Sequence, residues 1–166
     1  MERLPNRKPT RLHAYDYSQI GAYFVTVCVR ERRCILSTIE TDETSGSARV
    51  VLSSIGRKVE QTLLRMNEHY RHIRLEHFIV MPNHVHLLIS IQWDGGAPRS
   101  SPPTNALSVF MTAFKKFSEK ACERKIWQRG FYDHIIRNED DYRKHVQYID
   151  ENPKKWAMGK DAYYGS

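Results

Sequence analysis

Between Ala22 and Arg30 the chain reads AYFVTVCVR, rich in β-branched and aromatic residues, the pattern of a strand. With a period of two, Tyr23, Val25, Val27 and Val29 share one face. The polar stretch ETDETSGSA that follows reads as a surface loop. From Ser53 the spacing turns helical. Ile55, Val59, Leu63 and Met66 recur every three or four positions, and Ser53 or Ser54 can cap the helix. RHIRLEHFIV, residues 71–80, alternates enough for a second strand, MPN is a turn signal, and HVHLLISI from His84 to Ile91 returns as a third strand antiparallel to it.

The next segment, WDGGAPRSSPPTN, has turn-forming composition and predicts a mobile loop at about 93–105. ALSVFMTAFKKFSEKAC then predicts a helix whose apolar face holds Val109, Phe110, Ala113 and Phe117. IWQRGFYDHIIR reads as a short aromatic strand or an irregular segment. A last helix is expected from Asn138 to about Asn152, with an acidic start suited to the helix dipole and Pro153 at its end. The expected fold is α+β: a ferredoxin-like βαββαβ sandwich with an antiparallel sheet and an extra C-terminal helix, residues 1–166 forming a single domain.

Composition narrows the function. No run approaches the roughly 18 apolar residues that a membrane span needs, and the first residues, MERLPNRKPTRLHAYDY, lack the apolar stretch of a secretory signal. Three cysteines without a C-x-x-C pair suggest neither a disulfide framework nor a zinc ribbon. A bacterial cytoplasm, with the protein on the nucleoid, is the expected location. The net charge of +7 favours a polyanionic partner, nucleic acid before membrane surface. Basic positions interleave with aromatic ones, which suits a surface that grips the backbone of a single strand and stacks on its bases. The candidates for DNA contact are Arg7, Lys8, Arg11, Lys115, Lys116, Arg129, Lys154 and Lys155.

The third strand carries the chemistry. His84 and His86 lie two apart, so their imidazoles share the face opposite Val85, Leu87 and Ile89. Two such rings can hold one cation through ring nitrogens, whereas the bland alternative is two half-buried histidines bonded to backbone. Barrel metallohydrolases also use H-x-H, but need about 200 residues or more to close the barrel. The H-x-H-x-D-H pattern fails at Leu88. A two-histidine phosphodiesterase would carry hydroxyls where His86 and Leu88 stand. Two ligands do not complete a site, so the rest must come from elsewhere in the chain.

In HVQYIDENPKKW, at ~100° per residue, His145, Tyr148 and Asn152 fall within an arc of about 60° beside an apolar stripe of Tyr142, Val146 and Ile149. MPNHVHLL, followed by WQRGFYDHIIR and YIDENP, resembles the HUH single-strand DNA transposases with one catalytic tyrosine, and within them the REP-associated tyrosine transposases. The similarity runs from about Tyr23 to Trp156. The resemblance implies a divalent cation, Mg²⁺ or Mn²⁺, on His84, His86 and Asn152, with Tyr148 as the nucleophile on the last helix. Asn152 stands where insertion-sequence relatives usually have glutamine, which fits the REP-associated branch.

The implied partner is single-stranded DNA that folds into REP-like hairpins, the implied reaction strand cleavage and transfer through a 5′-phosphotyrosine, and the implied assembly a monomer or a homodimer. Tyr132 is the rival nucleophile, beside Asp133 and His134, and His134 stays open as a ligand or base. Two other functions compete: a palindrome-binding protein derived from a transposase but without catalysis, and a metal-dependent nuclease that uses water.

Overall fold

The computed structural model describes residues 21–92, 105–161 and 163. Six strands and three helices follow in the order β1 (Gly21–Cys28), β2 (Ser37–Thr41), β3 (Ala48–Leu52), α1 (Ser54–His69), β4 (Ile73–Val80), β5 (His84–Ile91), α2 (Ala106–Cys122), β6 (Tyr132–Ile136) and α3 (Glu139–Ala157). Four strands make one antiparallel sheet in the order β4-β5-β1-β6; β2 and β3 make a separate hairpin. The architecture is thus α+β, and among the described residues no helix is long and apolar enough to cross a membrane.

Strand alternation divides the sheet into two chemically different faces. Tyr23, Val25, Val27, Val85, Leu87 and Ile89 point to one side and are fully buried against α1 and α2, which contribute Val59, Leu63, Leu107, Phe110 and Phe114. Burying each such side chain contributes about 1.5–3 kcal/mol. The other face carries Phe24, Thr26, His84, His86 and Leu88, and α3 packs over it.

Register makes that second face. Thr26 pairs with His86 and Cys28 with His84 across β1 and β5. On the far side of β5, a bulge between Leu75 and His77 shifts the phase of β4, so His77 pairs with Leu88 and Ile79 with His86. Without the extra residue His77 would point into the apolar core. With it, His77 Nε2 meets Asp150 Oδ1 on α3 at 2.7 Å and ties the helix to the sheet.

Local signals account for the helix starts. Ser53 caps α1, its hydroxyl accepting from the Gly56 amide at 3.0 Å, and Asn138 caps α3 by accepting from the Asp141 amide at 2.9 Å. Glu139, Asp140 and Asp141 fill the first turn of α3.

Three expectations are corrected. The polar segment after β1 is only the tip of the β2–β3 hairpin: Asp42 closes the turn, and the flanking STIET and ARVVL are strands. These strands are short and only Ser37 is buried, so their pattern carries little apolar contrast. Helix α2 buries Leu107, Phe110, Met111 and Phe114, leaving Val109 49% and Phe117 46% exposed, so its packed face is rotated from the one expected. Helix α3 continues through Pro153 to Ala157. Proline removes one backbone donor, but buried Ile149 and Trp156 on either side anchor the helix against the sheet. The loop expected at about 93–105 lies outside the described residues except for Asn105, which begins α2.

Candidate metal and nucleophile site

His84 and His86 are buried side by side at the start of β5, 0% and 1% exposed. Their Nε2 atoms face each other at 3.0 Å. The outer nitrogens are both held: His84 Nδ1 lies 2.8 Å from Asn83 Oδ1, and His86 Nδ1 lies 2.8 Å from Thr26 Oγ1. Asn83 uses its amide NH₂ on the Arg32 and Tyr163 carbonyls, so its oxygen is left as an acceptor for the His84 Nδ1–H. That tautomer turns the His84 Nε2 lone pair toward His86. Anchored Nδ1 atoms behind converging Nε2 atoms are how proteins present imidazole to a metal.

Burial keeps both rings neutral. Desolvation pushes the His84 pKa down to about 3, an effect the Asn152 side chain opposes and Arg32 reinforces. His86 is driven well below the usual histidine range by burial, then by His84 and His145. Neutral imidazole is the form that ligates a cation.

Helix α3 brings the other groups. Asn152 is fully buried; its Nδ2 donates to Asp161 Oδ2 at 2.5 Å, while its Oδ1 has no hydrogen-bond partner among the described residues. A buried amide oxygen without a partner is a vacant ligand, so the donor set of two imidazole nitrogens and one oxygen fits a divalent cation.

The Tyr148 ring stands edge-on to His86 at 5.3 Å and to Phe24 at 5.8 Å, with the Lys155 ammonium 5.1 Å from its centre. Burial, then the Asp161 carboxylate and Tyr163, push its phenol up to about 12; Asn152 pulls the other way. Phe24, Thr26, His86, Lys144, His145, Tyr148 and Tyr163 line a cavity of about 270 Å³. The Tyr163 ring lies 4.5 Å from that of His84 and 5.7 Å from that of His86.

A second group adjoins the cavity. His134, Asp141 and His145 bring three ligating atoms within 4.8 Å of one another, a set able to hold a metal ion. Asp141 already accepts from His134 Nε2 at 2.9 Å and from the Arg137 amide at 3.0 Å, and these hydrogen bonds hold its carboxyl below the usual range. His145 Nδ1 donates to the Asp141 carbonyl at 2.8 Å, and its ring stacks on His134.

No family model matches the chain. An uncharacterized protein of Haemophilus influenzae is 28% identical over 92% of this chain and 91% of its own length. The REP-associated tyrosine transposase of Escherichia coli is 27% identical over 87% of this chain and 73% of that one. A solved structure of a REP-associated tyrosine transposase bound to a REP hairpin superposes with a TM-score of 0.62 at 26% identity, covering 90% of this chain and 73% of that one. The chain is homologous to the REP-associated tyrosine transposases.

The residues expected at the site do not all come together. His84, His86, Tyr148 and Asn152 come together between β5 and α3. Tyr132, the rival nucleophile, pairs in register with Thr26 on edge strand β6 and is 45% exposed.

Among the basic candidates, Lys116, Arg129 and Lys154 are exposed. Lys155 is bound to Glu151 at 3.0 Å. Lys115 is turned inward, its ammonium donating to the Gln128 and Gly130 carbonyls, so its charge is spent on that loop. Arg7, Lys8 and Arg11 lie outside the described residues.

The site also holds groups that sequence reasoning missed. Thr26 was a polar exception in an apolar strand, which is a usable signal. Asn83 was read only as a turn residue, and Asp161 carried no local pattern at all.

Proposed function

We propose that the protein cleaves and rejoins single-stranded, hairpin-forming DNA through a covalent 5′-phosphotyrosine on Tyr148. The observation that carries the reading is the convergence of His84 and His86 Nε2 at 3.0 Å beside the Tyr148 ring, in a chain homologous to tyrosine transposases. The partner class comes from the relative solved with a REP hairpin. A ferredoxin-like sandwich is the fold we infer, supported by the strand order β4-β5-β1-β6. We read 1–166 as one domain working in the bacterial cytoplasm, as a monomer or a homodimer.

His84, His86 and Asn152 would hold Mg²⁺ or Mn²⁺. The mixed nitrogen and oxygen donors suit Mn²⁺ at least as well as Mg²⁺, which prefers oxygen. When bound, the cation polarises the scissile phosphate and stabilises the charge that develops on it. Asn83 and Thr26 keep the imidazoles aimed. Phe24 packs against both the His86 and Tyr148 rings and orients the phenol. The Tyr148 oxygen attacks phosphorus, a P–O(Tyr) bond forms, and the bond to the 3′-oxygen breaks. The phenolic proton is released to solvent, and the leaving oxygen takes one up. Attack by a 3′-hydroxyl on the phosphotyrosine reverses the step and joins strands without ATP.

The test is a labelled single-stranded hairpin incubated with protein and Mn²⁺ and run on a denaturing gel. A covalent adduct is expected from wild type and from Tyr132→Phe, and none from Tyr148→Phe. Cutting without an adduct that survives Tyr148→Phe would instead identify a nuclease that uses water. Tight hairpin binding with neither product across many hairpins would identify a catalytically silent palindrome-binding protein.

A further inference from the structure

We propose that Asp161 is a positioning residue of this cation site: it aims the Asn152 oxygen at the two histidines and supplies the negative charge that two imidazoles and an amide lack. The inference rests on the metal reading given above.

An asparagine side chain has two ends of nearly the same shape, and only its partners decide which end faces where. A carboxylate can only accept. Asp161 Oδ2, 2.5 Å from Asn152 Nδ2, therefore fixes the NH₂ end toward itself. The Oδ1 end is left fully buried and without a hydrogen-bond partner among the described residues. The carboxylate is itself held, its Oδ1 accepting from the Tyr163 amide at 2.7 Å, so it is a fixed reference and not a swinging surface acid.

Charge gives a second, independent argument. Asp161 is 7% exposed, and no cationic side chain among the described residues forms an ion pair with it. A buried carboxylate needs a countercharge. Imidazole ligates a cation in its neutral form, so a divalent cation held by His84, His86 and Asn152 would meet that need. The reciprocal effect is tighter binding of the cation, because its three ligands carry no charge of their own. A mere fastening of the segment after α3 onto that helix would leave cation affinity untouched.

Titration calorimetry with Mn²⁺ alone on the full chain separates the possibilities. With the second cluster removed by His134→Ala/His145→Ala, the chain should bind one ion, and none when His84→Ala/His86→Ala is added; the Asp161 variants are compared in that same background. Asp161→Asn keeps an oxygen that can accept from Asn152 but loses the charge, and should bind about tenfold more weakly. Asp161→Ala loses both and should bind on the order of 100-fold more weakly, with no further loss when Asn152→Ala is added.

If Asp161→Asn binds as tightly as its Asp161 parent, the proposal is overturned, whether or not Asp161→Ala folds. Additive losses from Asp161→Ala and Asn152→Ala also overturn it, because the two residues would then act independently. Failure of that parent to bind, or binding unaffected by loss of His84 and His86, removes the metal reading itself and this inference with it.

Discussion

Tyr148 is half-buried beside neutral imidazoles, with its phenol pushed up to about 12 by burial and by Asp161. In metal-free protein, spectrophotometric titration should therefore find a late component above the usual tyrosine range, to which half-buried Tyr142 and Tyr163 also contribute, and Tyr148→Phe should shrink it by one phenol. The histidines make the opposite prediction at acid pH. With His84 held at about 3 and His86 also depressed, the native state sheds protons that the unfolded chain keeps below pH ~6.5. Unfolding thus takes up protons, and stability is lost as pH falls from about 6.5 toward 3, at up to about 1.4 kcal/mol per pH unit for each histidine. Denaturant midpoints at pH 7 and pH 5 should diverge in wild type and converge in the His84→Ala/His86→Ala variant. An equal acid sensitivity of the two proteins would refute the assignment. At this scale the sequence named the two histidines, the tyrosine and the amide. It did not identify Thr26 and Asn83 as anchors: a lone hydroxyl in an apolar strand marks Thr26 as unusual, but its hydrogen bond to His86 spans 60 positions, so the strand itself does not name the partner.

Helix α1 leans on the chain at Gly56, where a methyl group would be driven into the Leu36 carbonyl oxygen and would also press on Leu52. Backbone cannot swing aside, so Gly56→Ala should destabilise the protein by about 1–3 kcal/mol despite the better helix propensity of alanine. Gly21→Ala, with nothing within 4 Å, is the control in the same urea series. For α3 the cap is the lever: Asn138→Ala should cost about 1 kcal/mol. Since α3 carries both Tyr148 and Asn152, that loss should also slow adduct formation while hairpin affinity holds. Helix and strand positions were legible here wherever the apolar period was strong, as in α1 and β5. The packed face of α2 was not: Val109, Phe110, Ala113 and Phe117 form a plausible stripe, but Leu107, Met111 and Phe114 offer another, and only the sheet chooses between them.

Across the whole molecule, a charge of +7 should make DNA affinity fall with salt. Exposed Arg129 and Lys154 are expected at the DNA backbone. Changing either to alanine should reduce the slope of log affinity against log salt by about 0.7–0.9 per lost phosphate contact, without changing which hairpin is preferred. Filter binding at several salt concentrations reads both quantities. A folded single-stranded hairpin should outcompete a fully paired duplex of the same sequence at fixed salt. Preference for the duplex would count against the proposed partner.

Sequence alone determined the order of the main elements, the shared face of His84 and His86, and the helical neighbourhood of Tyr148 and Asn152. Those features follow from periods of 2.0 and 3.6, which are local properties of the chain. The tertiary structure decided everything that depends on which face meets which. The β4 bulge turns His77 toward Asp150, α3 runs on through Pro153 because Ile149 and Trp156 are buried on either side of it, and Lys115 turns inward to backbone carbonyls. Above all, it set Asp161 against Asn152, nine residues on and past the end of the helix. No periodicity encodes that contact: it exists because the chain folds back onto a buried amide whose one donor end needs an acceptor.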